Sequence, residues 1–598
     1  MKNSSVMVAT WIVYALMVLL ASPTFSEETP SAASEKPYYE TTNVDIPMRD
    51  GVVLRADIRR PAAEGKYPVL IFRTPYDKEE GDPDNEKTFN AAVQRGYAVV
   101  IQDVRGRFAS DGEFVPYENE GRDGYDTIEW AAVQPWSTGE IGTFGLSYPG
   151  AVQWLAAVEN PPHLKAMVPA MCFSTLRECI YFGGVFESAW VSWIYKYITP
   201  DIRVKKDLTG PKTIEEATVE WGRLGGTDYM QGSCPSLLMP HLRDAAPFYY
   251  DWLEHSPYDP WWNWGDVNRK YDQVQAAVLN LSGWYDEPYG TQGAIANYLG
   301  LLQNRVGADP RTRLLIGPWI HGVDATGAAC AGNRVFSESA RLDYHSVVLD
   351  WLDYYVRGIS NSVPCWPNVM VYLMGREEWL KSDVWPLPEI SGQPLYFGDH
   401  GALVPSIPEE DGFSAFVSDP ANPVRDELDT NFGAYDLRSL SDRPDVLTVE
   451  MPPVENDLDV VGHILAEIYV SSDEAPDFDI YAKLLDVAPD GTAFNLESAG
   501  HEVIRVSYRN KTADRQLLSP NEVVKLSFDN LLTANTLKPG HRLRVCLMAS
   551  WFPTYSRNPQ NGELETTSGN CRKATIRIHH GPQYPSRLVL PVHRAEQH

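Results

Sequence analysis

A chain of 598 residues with 80 acidic and 51 basic side chains carries a formal charge of −29. That charge argues against nucleic acid and anionic membrane surfaces as partners. Its 43% hydrophobic and 22% charged residues exclude a disordered or fibrous chain, and its length calls for about two to four domains.

The chain opens with Met1-Lys2-Asn3, an apolar run from Val6 to Leu20, then Ala21, Ser22, Pro23, Thr24 and Ser26. A basic start, a short apolar core and small residues at the exit read as a secretory signal peptide over residues 1–26. The run is shorter than the ~20 residues a spanning helix needs. The expectation is an exported protein, periplasmic or extracellular, with no membrane association after signal removal. Export permits disulfides, and seven cysteines leave at least one unpaired in a monomer. Cys546 with Cys571, and Cys172 with Cys179, are candidate pairs; Cys234, Cys330 and Cys365 complete the set. No cysteine–histidine cluster has zinc spacing, so neither a metal nor a cofactor is expected.

Residues 27–171 read as the first part of an α/β domain. Val52–Ile58 alternates as a strand, Tyr67–Phe72 and Ala98–Asp103 read as buried strands, and Gly121–Val133 as a helix. Strands alternating with helices imply a parallel sheet covered on both faces. Ile141–Leu146 is a further buried strand that runs into Ser147 and then a helix from Ala151. A serine on a tight, glycine-flanked turn between strand and helix is the nucleophile-elbow arrangement, with its hydroxyl held out of the sheet. Gly145 allows the chains to pass closely, and Pro149 sits where a missing N–H costs little. The usual G-x-S-x-G spacing is altered, because the second glycine, Gly150, comes one place late.

From 172 to 271 strand-type runs thin out and aromatics accumulate, Trp190, Trp193, Tyr195, Trp252 and Trp262 among them. This stretch reads as a mostly helical cap. The α/β pattern returns over 272–367, with strands at Ala276–Gly283 and Arg313–Gly317 and a helix around Ser337–Arg357. Residues 368–598 are rich in short strands and turn residues, as in a sandwich or jelly roll. The expected class is α/β: an α/β-hydrolase fold with an inserted helical cap, followed by an all-β jelly-roll domain.

A serine is a weak nucleophile until a base takes its proton, and that base is a histidine oriented by a carboxylate. α/β-Hydrolases supply the three in chain order Ser, Asp, His. Asp286 follows the strand ending in Gly283-Trp284-Tyr285, and His321 follows Gly317-Pro318-Trp319-Ile320. Asp324 is a weaker rival to Asp286, being so close to His321 in sequence. The Tyr148 N–H faces an oxyanion at the elbow. The second donor normally comes from the loop after an early strand, here Arg73–Asp77, which lacks a glycine run; Tyr76 is either a phenol donor or a tyrosine packed at the loop.

These residues resemble the cocaine esterase/Xaa-Pro dipeptidyl-peptidase-like serine hydrolases. The resemblance rests on Arg73-Thr74-Pro75-Tyr76, Gln102-Asp103-Val104-Arg105-Gly106-Arg107, Gly145-Leu146-Ser147-Tyr148-Pro149-Gly150, Gly283-Trp284-Tyr285-Asp286, Gly317-Pro318-Trp319-Ile320-His321-Gly322, Gly375-Arg376-Glu377-Glu378-Trp379 and Arg557-Asn558-Pro559. It implies Ser147 as nucleophile, His321 as base, Asp286 as its orienter, and an oxyanion hole from Tyr76 and Tyr148. The family elbow, G-x-S-Y-x-G, also accounts for Gly150. Asp103 to Arg107 are expected to be structural. Glu287 and Pro288 stand where relatives often carry a pocket aromatic, which here comes only at Tyr289; Glu287 is expected to be solvated, the alternative being that it meets a cationic group of the substrate.

The expected activity is hydrolysis of carboxylic esters, or of amides, through an acyl-enzyme, on a small-molecule ester or acyl-amide substrate. The runner-up is Xaa-Pro dipeptidyl-peptidase or glutaryl/β-lactam acylase activity on the same triad. A non-catalytic protein binding ligands through its jelly roll is the distant alternative.

Overall fold

The computed structural model describes residues 38–79, 83–224, 242–305, 310–426, 432–496, 501–566 and 570–594. The expected signal segment, residues 1–26, lies outside them, as does Cys234. The hydrolase part is built on one ten-stranded sheet. Its strands are β1 (Tyr39–Pro47), β2 (Val53–Arg60), β3 (Tyr67–Thr74), β4 (Ala98–Asp103), β5 (Ser137–Leu146), β6 (Leu164–Ala170), β7 (Ala277–Tyr285), β8 (Thr312–Ile320), β9 (Val369–Leu373) and β10 (Glu378–Ser382). They lie in the order 1-2-4-3-5-6-7-8-9-10. Strands from β4 through β3 to β9 are parallel, and the two edges are closed by antiparallel pairs.

The central strands are apolar at consecutive positions because both faces are covered. In β3, Val69 and Ile71 join the core on one face, while Leu70 and Phe72 join the core on the other. The first face carries α2 (Glu120–Ala132) and α3 (Tyr148–Ala157), packed on each other and on β5. The second carries α1 (Pro83–Gln94) and α5 (Tyr344–Tyr355). Helix α4 (Pro288–Asn304) packs on β7 and β8.

Strands β9 and β10 lie beyond residue 367, where the jelly roll was expected to begin. They extend the hydrolase sheet instead, β9 pairing in parallel with β8 through Leu314–Ile316. Between β6 and β7 the chain forms short helices: Leu176–Ile180, Ala189–Trp193, Ile194–Ile198, Thr199–Lys205, Ile214–Leu224 and Phe248–Glu254. The helix Ile194–Ile198 is a π-turn.

From Ile390 onward the chain folds into a seven-stranded and a five-stranded sheet, both antiparallel. Phe416, Ile468, Phe528 and Ile576 of the first pack with Leu484, Val545 and Leu547 of the second. Two further family-like motifs, Gly375–Trp379 at the edge of the hydrolase sheet and Arg557–Pro559, make contacts to this sandwich. Gly375, at φ 88°, has no room for a Cβ, which would stand 2.6 Å from the Thr536 carbonyl oxygen, and Arg376 pairs with Asp459 at 3.0 Å. Asn558 donates to Asp479 (3.0 Å), which in turn pairs with Arg505 at 2.8 Å.

The sandwich is also tied to the helical insertion by backbone hydrogen bonds: Arg505 N to Gly183 O (2.9 Å), Ser556 N to Phe186 O (2.9 Å) and Ser188 N to Thr554 O (2.8 Å). Residues from Tyr38 onward accordingly form one compact unit. Both candidate disulfides are corrected: Cys172, Cys179 and Cys546 are buried free thiols, whereas Cys571 is disulfide-bonded.

Candidate active site

Strand β5 ends at Leu146 and α3 begins at Tyr148, so Ser147 alone makes the turn. It sits at φ 68°, ψ −127°, a left-handed conformation that costs a side-chain-bearing residue about 1–3 kcal/mol. The surroundings impose it. The Ser147 N–H donates to Ala170 O of β6 (3.0 Å), and its carbonyl accepts from the amides of Gly150 and Ala151, each at 2.9 Å. A Cβ on Gly145 would meet Pro149 at 2.5 Å, and one on Gly150 would meet Ala170 O at 2.4 Å. The displaced glycine therefore marks where the first turn of α3 rests against β6.

Tyr148 supplies the first amide of α3, which has no acceptor one turn back. Its side chain is buried and anchored: the phenol donates to Glu120 (2.9 Å) and accepts from the Tyr117 amide (3.0 Å). Glu120 pairs in turn with buried Arg73 at 2.8 Å, which gives the Arg73 of the first motif its task. Arg107 of the second motif is fully buried and donates to the Pro75 carbonyl (2.9 Å) and to the carbonyls of Tyr197 and Ile198. It thus fixes the residue before Tyr76 against the helical insertion. The Tyr76 oxygen accepts from Trp193 Nε1 (3.1 Å); a hydroxyl that accepts one bond still has a proton to donate.

At the end of β7, Asp286 is fully buried. One carboxylate oxygen takes His321 Nδ1 at 2.6 Å and the Glu287 amide at 2.8 Å. The other accepts from Ser282 Oγ at 2.5 Å. Gly290 leaves room for this carboxylate, since a Cβ there would lie 2.0 Å from it. Asp324 is exposed and faces Lys87 at 3.9 Å, so the structure brings Asp286, not the rival, to His321.

Ser147, His321, Tyr76 and Tyr117 line one cavity of about 380 Å³ with residues of the insertion, Glu187, Trp190, Trp193 and Lys196, and with Glu287, Tyr289 and Phe432. Tyr289 stacks on Trp190 (centroids 6.1 Å), supplying the expected pocket aromatic from a shifted position.

Glu287 is half-buried and lines the cavity, so its carboxyl is only partly solvated. Burial pushes its carboxyl up to about 7, with His321 opposing and Asp286 adding to the rise. Glu187, on the opposite wall, is held well above the carboxylate range by burial and then by the Glu287 charge. Neither makes an ion pair among the described residues. For His321, burial favours the neutral ring, but Glu287 and then Asp286 outweigh it and hold the imidazole at about 9. Sequence reasoning did not find Glu187. Its one signal was an acid inside the aromatic run Tyr181–Trp193.

Residues 50–323 match the sequence profile of X-Pro dipeptidyl-peptidase (S15 family), and residues 361–589 that of the X-Pro dipeptidyl-peptidase C-terminal non-catalytic domain. The cocaine esterase of Rhodococcus sp. (strain MB1 Bresler) is 33% identical over 582 residues, covering 93% of this chain and 99% of that protein. The solved structure of an α-amino acid ester hydrolase superposes with a TM-score of 0.78 at 25% identity, covering 95% of this chain and all of that one. An aminopeptidase from a marine sediment Thaumarchaeota archaeon shares the fold with a TM-score of 0.78 at 24% identity and coverage of 95% and 100%. The chain belongs to the cocaine esterase/Xaa-Pro dipeptidyl-peptidase-like family of serine hydrolases, an α/β-hydrolase fold followed by a β-sandwich domain.

Proposed function

We propose that this protein is an exported carboxylic ester hydrolase that works through an acyl-enzyme on Ser147. The observation that carries this reading is a serine on a strained elbow, in one cavity with a histidine whose Nδ1 is held by a buried carboxylate. With Nδ1 bound to Asp286, Nε2 of His321 is the atom left to take the Ser147 proton. Ser147 Oγ then attacks the ester carbonyl, and the oxyanion receives hydrogen bonds from the Tyr148 N–H and the Tyr76 hydroxyl. Collapse expels the alcohol, which takes the proton from His321. Water repeats the sequence on the acyl-serine and frees the acid.

A second reading rests on Glu187 and Glu287. Two acidic side chains on opposite walls of one cavity, without an ion pair among the described residues, would be ionised by a neighbouring cation and so favour a substrate carrying an ammonium group near its acyl carbon, such as an α-amino ester or a peptide N-terminus.

The deciding experiment compares kcat/KM for p-nitrophenyl butyrate and Ala-Pro p-nitroanilide, with Ser147→Ala as the blank. Fast ester cleavage lost in the variant supports the esterase. Preferential anilide cleavage moves the assignment to a dipeptidyl-peptidase. Equal rates in wild type and variant would falsify the Ser147 mechanism. Export is tested by N-terminal sequencing of the mature protein, with retention of Met1–Ser26 as the contrary result.

A further inference from the structure

We propose that a second cavity, sharing no lining residue with the active-site pocket, binds an aliphatic carboxylate. This cavity measures about 370 Å³, within the range of small-molecule sites. Sheet register explains its composition. On β8, Arg313 stands opposite Leu279 of β7, and Leu315 stands opposite Met370 of β9; Met370 in turn stands opposite Lys381 of β10. Residues two apart on a strand, or directly opposite across a ladder, share a face. That face therefore presents an apolar floor of Leu279, Leu315 and Met370, with Arg313 set among them on β8 and Lys381 on the edge strand β10. Helix α5, which lies on β6 on the same face, contributes Val347 to the cavity wall, beside Leu342 and Trp366.

Charge selects the ligand. Both charged residues lining this cavity are cationic, in a chain of net charge −29. Arg313 is buried and hydrogen-bonded to the Asn368 side chain. Lys381 is exposed and makes no ion pair among the described residues. A fatty acid would place its carboxylate at Lys381 and lay its chain on the leucines and Met370, each Å² of apolar surface contributing roughly 25 cal/mol. A cationic amphiphile would meet the wrong charge, and a neutral one would gain nothing from Lys381.

The structure provides its own reporter. Cys365 is a free, exposed thiol on the cavity wall, while Cys330 is a free, exposed thiol that does not line it. The test is site-resolved N-ethylmaleimide labelling of the full-length protein, read by peptide mass spectrometry, with decanoate below its micelle concentration as the probe. Decanoate should slow Cys365 saturably and leave Cys330 unchanged, and decanol should protect Cys365 more weakly. Lys381→Glu, at an exposed position that does not threaten folding, should raise the half-protecting concentration by roughly tenfold, the scale of reversing one surface charge beside a carboxylate. Absence of Cys365 protection, equal slowing of both thiols, or an unchanged half-protecting concentration in Lys381→Glu overturns the proposal.

Discussion

Replacing Glu287 with glutamine removes the largest of the charges that raise His321 while keeping the side chain's shape. His321 stands at about 9, against an ordinary 6.5. A single nearby carboxylate moves an imidazole by about one to three units, at about 1.36 kcal/mol each. Asp286 remains in Glu287→Gln, so His321 should titrate about one to two units lower than in the wild type. In the proposed mechanism the neutral ring is the base, so the ascending limb of kcat/KM against pH should follow this group. The assay is a pH profile of p-nitrophenyl butyrate cleavage at sub-saturating substrate, wild type beside Glu287→Gln. The limb should move to lower pH, and the variant should be roughly tenfold faster near neutrality if a one-unit shift is realised. Stability changes with the opposite sense. A folded-state pKa above the unfolded 6.5 means that the protonated ring stabilises the fold fully below about 6.5, and that this contribution fades as pH rises through about 9. In Glu287→Gln the fading should be complete at lower pH. A limb that stays in place, or moves upward, refutes the electrostatic account of this pocket.

Tyr76→Phe removes a proposed oxyanion donor without changing the ring, and kcat should fall by about 10²–10³ with KM little altered. Ser282→Ala removes the 2.5 Å hydrogen bond to the second Asp286 oxygen. It should cost about 1–3 kcal/mol of stability in denaturant titration, with kcat lowered and the pH limb displaced; an unchanged limb would mean that Ser282 does not position the carboxylate. Gly150→Ala forces a Cβ to within 2.4 Å of the Ala170 carbonyl oxygen, so soluble yield and activity should drop together; full activity would show that the elbow tolerates a shift of α3. Arg505→Ala leaves buried Asp479 and Glu565 without their shared cation, a loss of about 3–5 kcal/mol that thermal unfolding would read directly.

The elbow was legible because the residues that define it lie within six consecutive positions, Gly145 to Gly150, and at Gly145 the constraint is local, since a Cβ there would meet Pro149. What made Gly150 necessary was not local: the Ala170 carbonyl it rests on belongs to β6. Asp286 and Asp324 both follow a strand, and only packing decides between them, since one is enclosed and the other is in solvent. Burial likewise hid Glu187, because a carboxylate's residue type says nothing of its surroundings. Strands β9 and β10 read as part of the β-rich tail, since parallel pairing with β8 joins residues that are not neighbours in sequence. The cysteine pairing failed for the same reason: it depends on distances between strands, and Cys546 lies buried within its own sheet.

Glu187 lies between Phe186 and Ser188, whose backbone groups are both bonded to the segment Thr554–Ser556 of the sandwich. At Gly183 the join is tighter still, since a Cβ there would stand 1.5 Å from the Val503 carbonyl oxygen. One wall of the reaction chamber is thus held in place by the half of the chain that contributes no reacting group. Grafting this hydrolase segment onto a relative's C-terminal half would keep Ser147 and His321 but let that wall drift. Substrate preference in such a chimera should follow the tail as much as the catalytic half, so the two halves are better regarded as inherited together than as interchangeable modules.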